Sequence, residues 1–203
     1  MFVRTGYFTG DPAFIDRALD GLSAEAVGLL SAQPGYTGYG LFADRELGII
    51  VMGSWWANRQ AERDSFEQLR GRRDELLAPF AVTATVDVWE AAVVWEASVA
   101  RPGSWFRLVR FDVDRANAGR VADRYREEGL PALQRIDGFL GGSMLLSDED
   151  ERGAVGGLFT DRAALVASRG PAAGVRARGV TAGGLTLRSL EEFETVLMDV
   201  PQA

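Results

Sequence analysis

Residues 4–38, RTGYFTGDPAFIDRALDGLSAEAVGLLSAQPGYTG, align without a gap on residues 107–141, RLVRFDVDRANAGRVADRYREEGLPALQRIDGFLG. Arg4 meets Arg107, Phe8 meets Phe111, Asp11 meets Asp114, and Ala13 meets Ala116. Arg17 then meets Arg120, Asp20 meets Asp123, Glu25 meets Glu128 and Leu30 meets Leu133. Gly35 meets Gly138 and Gly38 meets Gly141. Identities this dense in one ungapped stretch mark an internal duplication, the feature to be sought before any other. Past the next hairpin a register one residue longer pairs Gly53 with Gly157, Trp55 with Phe159, Arg72 with Arg176 and Trp89 with Phe193. Two copies of one unit are expected, at 1–99 and 104–203, with a linker at 100–103 where Pro102 and Gly103 punctuate the chain.

The pattern inside each copy reads the same way. Phe2–Phe8 is a β-prone run, and Asp11-Pro12 is an N-cap followed by Pro at the first helical position. Phe14, Ile15, Ala18, Leu19 and Leu22 recur at helical spacing, and Pro34-Gly35 ends the segment. Tyr36–Ala43 and Leu47–Trp55 are strand-like around a polar turn. Asn58–Leu77 is a helix with Ala61, Phe66 and Leu69 inward, and Val82–Val94 is a closing strand. Copy two repeats the order with strands at Trp105–Val113, Phe139–Ser147, Ala154–Thr160 and Leu185–Leu197. Its first helix is capped by Asp114, and its second, capped by Asp161, is expected to break at Gly170-Pro171. The order β-α-β-β-α-β predicts an α+β fold of two tandem ferredoxin-like units. Helices cover one face of such a sheet only, so the units are expected to pack sheet to sheet into an α/β barrel.

Composition removes whole classes of chemistry. The 203 residues include no Cys, no His and no Lys, so all 22 basic residues are Arg. Thiolate nucleophiles, disulfides, Cys/His metal centres, histidine triads and Schiff-base lysines are therefore excluded, and no metal site is expected. A net charge of −7 argues against nucleic acid. Arg70, Arg72 and Arg73, flanked by Glu67, Asp74 and Glu75, read as a solvated helix face. No leader or membrane-length apolar run is read, so a cytoplasmic protein without membrane partners is expected. Arg in place of every Lys points to a GC-rich bacterial genome.

The segments Pro34-Gly35-Tyr36, Gly53-Ser54-Trp55-Trp56 and Asp87-Val88-Trp89-Glu90 resemble the landmarks of dimeric α/β-barrel proteins, in the antibiotic-biosynthesis monooxygenase branch. Asp137-Gly138-Phe139, Gly157-Leu158-Phe159 and Glu191-Glu192-Phe193-Glu194 repeat them in copy two. The resemblance implies a cofactor-independent monooxygenase acting on an aromatic or polyketide-like small molecule. A haem-degrading relative would need a His ligand, which this chain lacks. The family's Trp after the third strand matches Trp55 or Trp56, with Phe159 in copy two. Its first-strand Asn has no counterpart in either copy. Two alternatives stay open: a non-catalytic small-molecule-binding or structural barrel, and a polyketide cyclase-type enzyme of the same fold.

Without His, Cys and Lys, proton handling falls to Asp, Glu and Tyr, with Arg as a fixed cation. Trp55, Trp56, Arg4 and Arg107 are the candidate catalytic residues, the two arginines being repeat-equivalent on the first strands. A guanidinium there requires a partner, and two could hold a carboxylate or enolate. Tyr7, Tyr36, Tyr39, Asn58 and Phe159 are candidate substrate contacts, although Asn58 reads first as a helix cap. No cofactor is expected. The chain is expected to be a monomer with an internal pseudo-dimer, or a homodimer.

Overall fold

The computed structural model describes residues 1–95, 103–147 and 149–199. The mixed α+β content follows the expected order. Strand β1 (Phe2–Gly10) leads through a 3-10 turn at Pro12–Phe14 into α1 (Ile15–Ser31). Next come β2 (Tyr36–Asp44), β3 (Ile49–Trp56), α2 (Arg59–Leu77) and β4 (Ala81–Trp95). The second copy has β5 (Trp105–Asp112) and α3 (Arg115–Arg124), continued by a π turn at Tyr125–Gly129 into α4 (Leu130–Gln134). Strands β6 (Phe139–Leu146) and β7 (Arg152–Phe159), helices α5 (Arg162–Ala167) and α6 (Arg169–Gly183), and β8 (Thr186–Asp199) complete it.

The chain divides into two compact units, residues 1–89 with 195–203 and residues 90–194. Strands β4 and β8 therefore each begin in one unit and end in the other. The pairings β1–β3, β2–β3, β4–β6, β5–β7, β5–β8 and β6–β7 are antiparallel, and the strand order β1-β3-β2-β8-β5-β7-β6-β4 is that of a closed barrel. The linker expected at 100–103 lies outside the described residues, except Gly103.

In the first unit the helices cover the sheet face that carries Phe8, Tyr39, Leu41, Ala43, Ile50 and Trp56. Helix α1 presents Ile15, Ala18, Leu19, Leu22, Ala26 and Leu30 to that face, one stripe at helical spacing. The second unit repeats this with Phe111, Met144 and the stripe Val121, Ala122, Tyr125 and Leu133. Each β-hairpin is entered through a glycine in the left-handed region, Gly35 at φ 78° and Gly138 at φ 79°. The carbonyls of these glycines accept from Ala57 N and Thr160 N, each at 2.8 Å. A β-carbon there would lie 2.7 Å from the Ala61 methyl and 2.5 Å from the Ala164 methyl, so both positions require Gly.

Two details differ from the sequence expectation. Arg4 pairs with Ser54 across β1 and β3, and Arg107 with Gly157 across β5 and β7. The original register thus continues unchanged, and Trp56, not Trp55, is the counterpart of Phe159. The side chains confirm it: Trp56 and Phe159 are both buried, each beneath an arginine at 5.3 Å and edge-on to the β2 or β6 aromatic. The second helix of copy two breaks at Ser168 rather than at Gly170-Pro171. Pro171 falls in the first turn of α6, where a missing N–H leaves no helical bond unmade.

Candidate functional site

Arg4 and Arg107 project from β1 and β5 toward the second helix of their unit. Arg4 Nη1 donates to the Glu62 carbonyl at 2.9 Å and to Ser65 Oγ at 3.0 Å. Arg107 Nη2 donates to the Leu165 carbonyl at 2.8 Å, and its Nη1 donates to Ser168 Oγ at 2.8 Å. Ser65 and Ser168 in turn donate to those same carbonyls, at 2.7 and 2.6 Å. One geometry is therefore built twice, and it explains why Ser65 and Ser168 are buried.

The counter-charge is not built twice. Arg4 is neutralised by Glu62 of α2 at 3.1 Å. Position 165, the counterpart of Glu62, is Leu, and Arg107 is neutralised by Glu192 of β8 at 2.7 Å. Glu192 is shared with Arg169 at 2.5 Å. Burial alone would raise the Glu192 carboxyl, but the hydrogen bonds from Arg169 and Arg107 outweigh it and hold the group below its usual range. Arg4 sits below the usual guanidinium value, because burial outweighs its attraction to Glu62.

Between helices and sheet each unit holds a cavity. In the first unit it measures about 80 Å³, and Arg4, Tyr39, Met52, Phe66 and Arg73 are among its walls. In the second it measures about 120 Å³ and is largely apolar. Phe111, Phe139, Met144 and Phe159 line the sheet side, and Val121, Tyr125, Ala172 and Val175 line the helix side. Arg107 and Arg176 also reach it, while Arg124, Glu128 and Arg178 belong to its rim. Pockets for drug-sized ligands run to roughly 300–1,000 Å³, so this cavity suits a single ring or a short chain.

The π turn shapes the second cavity. Pro131 lacks the N–H that would bond back to Glu127, and its ring would crowd that carbonyl in a regular helix. The widened turn avoids this, with Leu130 N–H donating to the Tyr125 carbonyl. Gly129 makes room for the Tyr125 ring, since a β-carbon there would lie 2.9 Å from Tyr125 Cδ2. The first unit has Leu22, Ala26 and Gly28 at the positions of Tyr125, Gly129 and Pro131, and α1 runs unbroken. Its tract begins instead with the tighter 3-10 turn.

The candidate residues disperse around this geometry. Arg107 and Phe159 share the second cavity, and Arg4 and Tyr39 share the first. Trp56 lies under Arg4 and donates from Nε1 to Ser54 Oγ at 2.9 Å. Trp55 and Tyr7 sit on the opposite sheet face from Trp56 and Arg4, as strand alternation requires, and neither lines either of these two cavities. Trp55 covers Gly53, where a β-carbon would lie 3.2 Å from the Trp55 ring. Tyr36 donates to Asp199 at 2.7 Å, and burial followed by that carboxylate raises its phenol well above the usual value. Asn58 is a helix cap, accepting from Ala61 N at 2.9 Å. Burial also raises the phenols of Tyr39 and Tyr125, and neither hydroxyl has a hydrogen-bond partner among the described residues.

Tyr125, Gly129, Pro131 and Arg176 are functional candidates that sequence patterning does not single out. The signal available is the pair Gly129 and Pro131 inside an otherwise helical tract. Among the described residues there is no group of acidic side chains able to hold a metal ion, and no helix is long and apolar enough to cross a membrane.

No family model matches the chain. The uncharacterized protein Rv2558 of Mycobacterium tuberculosis is 26% identical over 198 residues, covering 97% of this chain and 84% of that one. A candidate monooxygenase from Lactobacillus acidophilus, known from its crystal structure, superposes with a TM-score of 0.73 at 11% identity. That match covers 98% of this chain and 95% of the other. An anthrone oxidase-like protein superposes with a TM-score of 0.70 at 14% identity, covering 98% of this chain and 92% of the other. These likenesses show a shared fold.

Proposed function

We propose that the chain is a cofactor-independent monooxygenase, of the antibiotic-biosynthesis type in tandem, acting on a small aromatic or polyketide-like molecule in the cavity of its second unit. The observation that carries this reading is an apolar, Phe-lined cavity reached by two guanidiniums, Arg107 and Arg176. An electron-rich phenol or enol entering such a space would be favoured as its anion beside a fixed cation. The anion can itself supply electrons to dioxygen. A ring methylene and one O2 give a ring carbonyl and one water, with no external reductant. The names of the two solved neighbours agree in kind with this chemistry.

The chain's own residues would bind and orient the ring between Phe159, Phe139 and the Tyr125–Gly129 turn, and exclude water from it. The test is oxygen uptake with anthrone- and quinol-type substrates, comparing wild type with Val175→Phe, which fills the cavity. Uptake by wild type that disappears in Val175→Phe is expected. No uptake by a folded wild type across both substrate classes would overturn the proposal.

A second reading, binding without catalysis, is favoured by one observation. The carboxylate among the cavity walls is Glu128, at the exposed rim and paired with Arg124, so among the described residues no carboxylate base faces the floor. Ligand binding without oxygen uptake would support that reading.

A further inference from the structure

Arg176 and Arg73 occupy corresponding places in the two units, each close enough to the first-strand arginine to feel its like charge. Their surroundings differ in two groups. Arg73 donates to Asp74 at 2.8 Å and lies 4.9 Å from the centre of the Phe66 ring. In the second unit the residue after Arg176 is Ala177, and the counterpart of Phe66 is Arg169. Both groups that satisfy Arg73 have been replaced, one by a methyl and the other by a further cation.

Among the described residues Arg176 makes no hydrogen bond or ion pair. Arg107, Arg169 and Arg176 face the single carboxylate of Glu192, which already serves the first two. Positive charge is thus in excess beside a cavity that is otherwise apolar. Tyr125, only 8% exposed, lines the same cavity, and its hydroxyl has no partner among the described residues. A buried hydroxyl without a partner is unfavourable, so a ligand that accepts from it gains on binding.

We propose that the second unit's cavity takes a ligand with an apolar body and an anionic oxygen group, the anion seated between the Arg176 guanidinium and the Tyr125 hydroxyl. This rests on reading that cavity as the ligand site, and it adds the charge of the ligand. In the first unit's cavity the guanidinium at the corresponding place, Arg73, is neutralised by Asp74. Partly buried and beside Arg107, Arg176 is held below the usual guanidinium value, as expected of a cation short of counter-charge.

The test is titration calorimetry with 4-ethylbenzoate and its neutral isostere 4-ethylbenzamide. A parallel arm uses 4-nitrophenol at a pH below and a pH above its ionisation, which separates carboxylate from phenolate as the favoured group. Wild type is expected to bind an anion at least about tenfold more tightly than its neutral partner, the scale of a charged hydrogen bond. Arg176→Gln is expected to bring that ratio close to one, and so is Ala177→Asp, which restores the first unit's arrangement. Tyr125→Phe is expected to weaken the anion more than the amide. Equal affinity for charged and neutral probes in wild type overturns the inference while leaving the cavity as a ligand site. Binding of none of the probes overturns both. The wild-type ratio is decisive even where a variant fails to fold.

Discussion

The buried arginines show how one residue dictates the polarity around it. Arg107 is only 4% exposed, and its charge is tolerated because Ser168, the Leu165 carbonyl and Glu192 surround it. Removing the carboxylate strands that charge. Glu192→Ala is expected to cost about 3 kcal/mol in urea unfolding, the usual scale for breaking a buried pair. Ser168→Ala, which removes one acceptor and one donor, is expected to cost about 1–2 kcal/mol. The pH dependence has a fixed sign. The Glu192 carboxyl is depressed in the folded state, so its contribution is complete above the unfolded value of 4.5 and fades as pH falls through the lower folded value. The stability gap between wild type and Glu192→Ala should therefore be widest near neutrality and shrink below pH 4.5. A gap that is flat across that range, measured by urea unfolding, would contradict the assigned pairing.

At the scale of elements, the two copies differ most in their first helix tract. Residues 12–31 begin tight, with a 3-10 turn, and then run regularly. Residues 115–134 begin regularly and loosen at the π turn, where the cavity lies. Pro131→Ala should let this tract close into a regular helix. It is expected to raise thermal stability by about 1 kcal/mol, since the π turn already relieves part of the roughly 3 kcal/mol a helical Pro costs. Ligand affinity should fall with it. Thermal unfolding and calorimetry on the same variant check both. Much of this architecture is legible in the sequence. The caps at Asp11, Asn58, Asp114 and Asp161, the turn glycines and the strand order all follow from local chemistry. The register past the hairpin is ambiguous in sequence because Gly156 and Gly157 are adjacent and either matches Gly53. The π turn is hidden because apolar periodicity reports the buried stripe, and Val121, Ala122 and Tyr125 keep that stripe intact.

For the whole molecule, the two units share one set of corresponding residues and differ at a few positions. Trp56 and Phe159, Ser65 and Ser168, and the two first-strand arginines keep the shared scaffold. The exchange of Glu62 for Leu165, Asp74 for Ala177 and Leu22 for Tyr125 alters the charge and shape of one cavity only. The candidate site is therefore only partly readable from sequence. Arg107 and Phe159 can be named from the repeat, whereas Arg176 gains its meaning from partners that are missing, and a missing partner is visible only in three dimensions. Trp55 and Tyr7 draw attention as large aromatics, yet strand alternation turns them away from the cavities. The most direct test of this division is a crystal structure of the full chain with 4-ethylbenzoate. The account predicts the ring among Phe111, Phe139 and Phe159, with the carboxylate against Arg176 and Tyr125. The second unit's cavity left empty, or a carboxylate seated there away from Arg176 and Tyr125, would contradict it.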